Sequence, residues 1–572
     1  MKSRFAKIKI GVLLAAIFFV LFLGQFAKAQ NFSDITNFYV DKNFDISQRT
    51  QISAVLVKTS RNLYFYVDKS WWDQQVPAKK DEISASLDKL SAEFDGHIYS
   101  VLTSVFGSEW KPGVDNDNKI AVLFEPMNAN EGGYFRSADE YVKIQVPDSN
   151  EREMVYLATD YIDDPQAKVI LAHEFVHLIT FNQKEKIMGV EEEVWLNEAR
   201  ADYSSTILGY DDQYEGSNLQ RRVKDFVQNP SDSITEWKGA KYDYASLSMF
   251  MHYMVDHYSI TVLSDSIKLK STGIDSINSV LSKTGYKEDF AKIFTNWTIA
   301  VAVNNCSLGD NYCYLNKNLA NFKLVSTLNF LPLQGSASLS VSDVTKNWAG
   351  NWLKFIGGNG DLKLDFSSLA GLNFQLPYIV EDSAGSQQIK FLALDKDEKG
   401  QIDVKKFGTD YKSLIIIPSL QSKTSDFSDM EPTYPFTYTV SVAGEQSVEE
   451  QTMIQKLLDQ IAYLKSEIAR LQSGNNGSAN QGSCSQLNNN LSFGMSNNDD
   501  VRCLQEFFKG QGSTVYPEGL ITGNFGILTR QAVIRFQEKY KAEILTPLGL
   551  ASGTGFVGPA TRAKINQILN GG

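Results

Sequence analysis

His173 and His177 stand four residues apart with Glu174 beside the first, and they are two of only five histidines in 572 residues. This spacing constrains the fold more than any other feature. Four positions make about one turn of helix, so the two imidazoles share a face only if the segment is helical. The run before them, Ala167-Lys168-Val169-Ile170-Leu171-Ala172, is apolar and rich in good helix formers. A helix is therefore predicted here. Two imidazoles one turn apart can share a metal ion, and the carboxylate beside the first can reach a water on that ion.

A catalytic zinc needs a third protein ligand and an open position. Residues 191–203 read as a second helix, with Glu198 21 positions after His177 (198 − 177). Asp202 follows one turn later on the same face, where a carboxylate could accept the outer N–H of a ligating histidine and fix its tautomer. The other third ligand of such motifs, a histidine six residues on, is absent, because positions 180 and 183 are Thr180 and Gln183. His97, His252 and His257 sit in aromatic, apolar or surface contexts and are read as packing or surface residues.

The His-Glu-x-x-His helix followed by Asn197-Glu198-x-x-x-Asp202 resembles the gluzincin metallopeptidases, the thermolysin-like clan. Trp195-Leu196-Asn197-Glu198 resembles the second motif of zinc aminopeptidases. Secreted bacterial enzymes of the hyicolysin type carry an Asp-rich turn similar to Asp115-Asn116-Asp117-Asn118-Lys119. The resemblance implies one Zn²⁺ per chain, held by His173, His177 and Glu198, with Glu174 as general base and Asp202 holding a histidine in place. It also implies a tyrosine or histidine that hydrogen-bonds the developing oxyanion. Tyr244 is the first candidate and Tyr242 the second. The interval between His177 and Glu198 is slightly longer than in thermolysin-like enzymes, which a loop from Gln183 to Glu191 would accommodate. In such peptidases an edge strand before the zinc helix pairs with substrate backbone. Gly132-Gly133-Tyr134-Phe135 and residues 141–146 are both candidates for it.

Around this motif the chain is modular. At about 150 residues per domain, its length suggests roughly four. Lys2, Arg4, Lys7 and Lys9 precede an apolar run from Ile10 to Gly24 and an Ala27-Lys28-Ala29 cleavage site, the pattern of an export signal. An uncleaved signal anchor is the alternative, and either places the rest outside the cytoplasm. The net charge of −12 argues against nucleic acid as a partner. Four cysteines suit export, and the two local pairings, Cys306 with Cys313 and Cys484 with Cys503, avoid tying distant regions together. Asp395 to Gly400 begins like a calcium loop, but Lys399 and Lys406 stand where oxygen ligands belong, so a hairpin turn is expected.

Short strand-like runs from about 330 to 445 predict an all-β sandwich. Ile454, Ile461 and Ile468 alternate with Leu457, Leu464 and Leu471 in heptads that would suit a parallel dimer through residues 454–471, or a lone stalk helix. A Gly, Ser and Asn linker follows. The last module has Gly526 three before Thr529 and Gly558 three before Thr561, a twice-used loop. Its Val-x-x-Leu-Gln and Gly-x-x-Gly-x-x-Thr patterns resemble the peptidoglycan-binding domain 1 family. The expected organisation is a signal peptide (1–29), an α+β zincin-like metallopeptidase domain (30–325), a β-sandwich (330–445), a coiled-coil helix (448–472), a linker (473–483) and a three-helix, peptidoglycan-binding-like domain (484–572). The expected function is an exported zinc endopeptidase, acting on proteins or peptides and held at peptidoglycan in the cell wall. The alternative is a wall-anchored scaffold or adhesin with a degenerate or structural zinc site.

Overall fold

A computed structural model of the chain describes residues 35–333, 337–442, 484 and 486–571, with single helical positions at 460, 461 and 464. The predicted export signal lies outside the described residues, as does nearly all of the predicted coiled coil. The chain is mixed α/β and divides into two compact units, Met1–Leu331 with Ala337–Ala443, and Pro332–Ser336 with Gly444–Gly572. No helix among the described residues is long and apolar enough to cross a membrane.

The first unit begins with a six-stranded sheet in the order β1 (Ile35–Tyr39), β2 (Gln51–Thr59), β3 (Leu63–Asp68), β4 (Ile120–Glu125), β6 (Met154–Ala158) and β5 (Gly133–Phe135). Strands β3, β4 and β6 run parallel, while β5 pairs antiparallel to β6 at the edge. Residues of β4 alternate strictly between faces. Ile120, Val122 and Phe124 join the core under the helices, whereas Ala121 and Leu123 join a second cluster with Tyr134 and Tyr156. A strand covered on both faces is therefore apolar throughout, as Ile120–Phe124 is.

The helices that share the core with that face are α1 (Pro77–Glu93), α2 (Tyr99–Phe106), α3 (Ala167–Thr180), α4 (Val194–Ile207), α5 (Asn218–Phe226), α6 (Lys241–Tyr258), α7 (Gly273–Thr284) and α8 (Phe290–Val303). Ten strands between Thr327 and Val442 form a second sheet. One parallel bridge, Phe407 to Tyr411, joins its two halves. Their inner faces share a core that includes Phe355, Leu376 and Leu414 from one half with Leu364, Phe366 and Val440 from the other. This region does not stand apart from the helices. Trp348 and Trp352 belong to the helical core, and Trp352 Nε1 donates to the Thr298 carbonyl at 2.8 Å.

The second unit contains α9 (Asp499–Gly510), α10 (Ile527–Lys539) and α11 (Pro559–Leu569). Two glutamines on these helices make the same network 32 residues apart (537 − 505). The Oε1 of Gln505 accepts from the backbone of Thr522 and Gly523, and its Nε2 donates to Asn524 O and Thr529 Oγ1. Gln537 does the same with Thr554, Gly555, Phe556 and Thr561. The repeated loop read in the sequence is thus a repeated hydrogen-bonded unit. Both expected disulfides are closed, Cys306 with Cys313 and Cys484 with Cys503.

Candidate metal centre

Helix α3 starts at a turn in which Asp164 Oδ1 accepts from the Gln166 N–H. Leu171, Ala172, Phe175, Val176, Leu178 and Ile179 are buried in the core, which fixes the rotation of the helix and turns His173 and His177 toward α4. Their rings lie 4.9 Å apart, edge to face. From α4, Glu198 meets both: Oε2 is 3.3 Å from His173 Nε2 and Oε1 is 3.7 Å from His177 Nε2. One ligand atom from each of the three residues lies within 4.8 Å of the others, and no other such three-residue group occurs among the described residues. His97, His252 and His257 stay outside it, bonded to Glu93, to Asn316 and to the Cys313 carbonyl.

Charge and burial set the protonation of the group. Burial pushes Glu198 up, but the two histidines and a hydrogen bond from Tyr244 outweigh it, and the carboxyl falls below its usual range. Burial lowers His177 and keeps it neutral. For His173 burial also acts downward, yet Glu198, Glu174 and Asp202 carry it above the usual value. Glu174 stands beside the group without belonging to it. Burial raises its carboxyl to about 8, with Glu198 adding and His173 opposing.

Asn197 Oδ1 lies 3.1 Å from His177 Nδ1. An amide oxygen only accepts, so Nδ1 carries the proton and Nε2 presents its lone pair to the site. The sequence reading placed Asp202 in this role. Asp202 Oδ1 instead accepts from Arg222 at 2.9 and 2.6 Å and from Asn218 at 3.2 Å. The carboxylate acts on His173 through charge, and Arg222 neutralises much of it. Asn197 was legible only as part of a motif; its role follows from its place one residue before Glu198.

Tyr244 enters from the first turn of α6. Asp243 Oδ2 caps that turn, accepting from the N–H of Ala240 at 2.8 Å and of Lys238 at 2.9 Å. The Tyr244 ring is 6.1 Å from that of His173, and the Arg222 guanidinium lies 4.4 Å from its centroid. Burial, then Glu198, hold its hydroxyl protonated far above the usual range. Tyr242 points elsewhere, its hydroxyl 3.5 Å from Gln228. Trp237 stands edge-on to Tyr244 at 4.7 Å and, with Lys238, Gly239, Asp429 and Met430, lines an open groove of about 650 Å³. Asp429 and Met430 come from the β-rich region. Their loop is tied down where the Glu431 N–H donates to Glu236 Oε1 at 2.9 Å and Lys346 pairs with the same carboxylate.

No family model matches the chain, and no curated protein matches it in sequence. Among solved structures, a functionally unknown conserved protein from Bacillus anthracis str. Ames covers 62% of this chain and 72% of its own, at 9% identity and a TM-score of 0.24. The pre-peptidase C-terminal domain of a collagenase from Bacillus anthracis covers 20% of this chain and 96% of its own, at 7% identity and a TM-score of 0.14. The Yersinia pseudotuberculosis-derived mitogen covers 20% and 92%, at 11% identity and a TM-score of 0.15. Similarity at this level leaves the site to be read from its own chemistry.

Two features beside the site were settled only by the tertiary structure. Of the two candidate edge segments, Gly133–Phe135 is the strand, and residues 141–146 form turns. Gly133 lies so close to α3 that a Cβ there would meet Tyr156 O at 2.5 Å and Glu174 Cγ at 3.3 Å. The segment read as a loop from Gln183 instead continues α3 as a π-helical stretch, Phe181–Met188. Within it the buried Lys184 donates to the carbonyls of Ser266, Leu269 and Ser271 and pairs with Glu192 at 3.2 Å. Glu192 also binds Arg200 at 2.8 Å. This network sets the start of α4, and with it the height of Glu198 against the histidines.

Proposed function

We propose that the chain is an exported zinc-dependent endopeptidase with a zincin-like catalytic region, carried to peptidoglycan by its C-terminal unit. One observation carries the reading: His173, His177 and Glu198 converge while the buried Glu174 stands free beside them. The donor set fits zinc. Two imidazole nitrogens and one carboxylate are ligands this ion takes in open catalytic sites, and the two Glu198 oxygens face the two imidazole nitrogens at 3.3 and 3.7 Å. Bound zinc supplies Lewis-acid polarisation of a carbonyl and activation of water. Glu174 takes a proton from the attacking water and returns it to the leaving amine. The Tyr244 hydroxyl, held protonated, donates to the oxygen on which charge develops. Asn197 keeps His177 in the ligating tautomer. The open edge of β5 offers backbone groups for an extended peptide to pair with, and the groove of Trp237 and Met430 lies one aromatic ring from Tyr244.

The test is Glu174→Gln in the full chain. It should retain about one zinc per chain and lose hydrolysis of a casein or peptide substrate by roughly 10³-fold or more. Absence of zinc from the wild-type protein, or an active variant, would refute the proposal. For the C-terminal unit, the doubled Gln505 and Gln537 loops and the exposed Leu520, Ile521 and Phe556 nearby support a wall-binding role. Full-length protein should co-sediment with purified peptidoglycan, and a chain ending at Leu471 should not. Dimerisation through residues 454–471 rests on the heptads alone.

A further inference from the structure

Glu140 ends the short turn after β5, and Glu153 immediately precedes β6. Their side chains are buried, at 0% and 2% exposure, and their carboxyl groups face each other. Both oxygens of Glu140 and Oε2 of Glu153 have no hydrogen-bond donor. The remaining oxygen, Glu153 Oε1, accepts from the Val114 N–H at 3.0 Å. Gly113 leaves the room this requires, since a Cβ there would stand 1.6 Å from Glu153 Oε2. Asp115 adds negative charge beside Glu153. Lys186 reaches both carboxyl groups by charge but bonds to neither: its Nζ donates to the Glu140 main-chain oxygen at 3.3 Å and lies 3.8 Å from the Trp110 ring centroid.

Burying three carboxylate oxygens unpaired is costly. One shared proton joins two of them and leaves the third orphaned. A hard divalent cation serves all three. We infer that Glu140 and Glu153 form a calcium site, completed by main-chain oxygens and water, that clasps the β5–β6 connection. Calcium takes oxygen ligands only, accepts carboxylates in one- or two-oxygen contact, and tolerates a variable number of waters. Two carboxylates suit it, unlike the mixed nitrogen and oxygen set at His173. The clasp joins the two ends of the segment that leaves the edge strand and returns as β6. It would therefore fix β5, whose Gly133 packs on Glu174, and it rests on none of the catalytic assignments.

The experiment uses the full chain, stripped with chelator and resupplied with zinc so that the histidine site is filled. Terbium, a luminescent stand-in for calcium, is added, with Trp110 as the nearby sensitiser. Sensitised emission should appear, be displaced by calcium, fall at least about tenfold in Glu140→Gln and in Glu153→Gln, and persist in His177→Ala. Calcium, and not zinc alone, should raise the melting temperature of the wild-type protein at neutral pH. Emission unchanged in Glu140→Gln, or emission lost only in His177→Ala, overturns the site. A wild-type melt indifferent to calcium does so too, and leaves a shared proton as the bond between the two acids.

Discussion

Replacing Gly133 with alanine tests the link between the edge strand and the proposed base. The new Cβ would lie 2.5 Å from the Tyr156 carbonyl oxygen, 2.9 Å from Ile170 Cγ2 and 3.3 Å from Glu174 Cγ. Ordinary contact begins near 3.4 Å, so the strand or its neighbour must move by about 0.9 Å (3.4 − 2.5). The nearest obstacle is backbone of the paired strand β6, which cannot swing aside as a side chain can. Overpacking of this kind costs about 1–3 kcal/mol. For a unit of this size that lowers the melting temperature by roughly 1–4 °C. The effect on hydrolysis should be larger, because a displacement near 1 Å at a reacting site costs on the order of 10²-fold. Zinc content should not change, since no ligand moves. Gly132→Ala is the control. Its Cβ meets only the flexible Ile170 side chain, no nearer than 3.2 Å, and kcat/KM should stay within a few-fold of wild type. Equal kcat/KM for Gly133→Ala and wild type on a peptide substrate would refute the claim that β5 positions substrate against Glu174.

Asn197→Ala removes the acceptor from His177 Nδ1 and should weaken zinc binding about 10–100-fold by competition with a chelating dye, with little change in folding. Lys184→Met takes one of two cations from Glu192 and strips the Ser266, Leu269 and Ser271 carbonyls of their donor, and should destabilise the first unit by about 1–3 kcal/mol in urea melts. Met430→Ala should alter which side chains are preferred beside the cleaved bond in a peptide-library digest while leaving zinc content intact; an unaltered profile would exclude the groove from substrate binding. Burial raises the Glu125 carboxyl to about 8, against a hydrogen bond from Tyr134. Its folded pKa exceeds its unfolded value near 4.5, so its contribution is full below that value and lost as pH rises through about 8. The melting temperature of Glu125→Gln relative to wild type should therefore climb between those limits, and a flat difference would refute the assignment.

The His-Glu-x-x-His helix and the carboxylate that meets it were legible in the sequence because their logic is local. Residues one turn apart share a face wherever the helix is placed, so His173 with His177, and Glu198 with Asp202, needed only their spacing. The cysteine pairs and the doubled Gly-x-x-Thr loop were legible for the same reason, since each partner lies within a few turns of chain. What these side chains bind beyond each other depends on groups far apart in sequence, and only the tertiary structure decided it. Asp202 was drawn away from the histidines by Arg222, twenty residues later, because a buried carboxylate is better matched by a guanidinium than by a neutral imidazole. Strand β5 is three residues long, too short for any period-2 pattern, and exists because β6 offers an edge for it. Glu140 and Glu153 face each other for the same reason: the β5–β6 pairing brings together two ends of a segment whose sequence shows only scattered acids. Four of the ten strands from Thr327 onward were readable one by one, near residues 353, 362, 413 and 434, but Trp348 and Trp352 entering the helical core were not, because a tryptophan in a strand-rich stretch carries no sign of which core will take it.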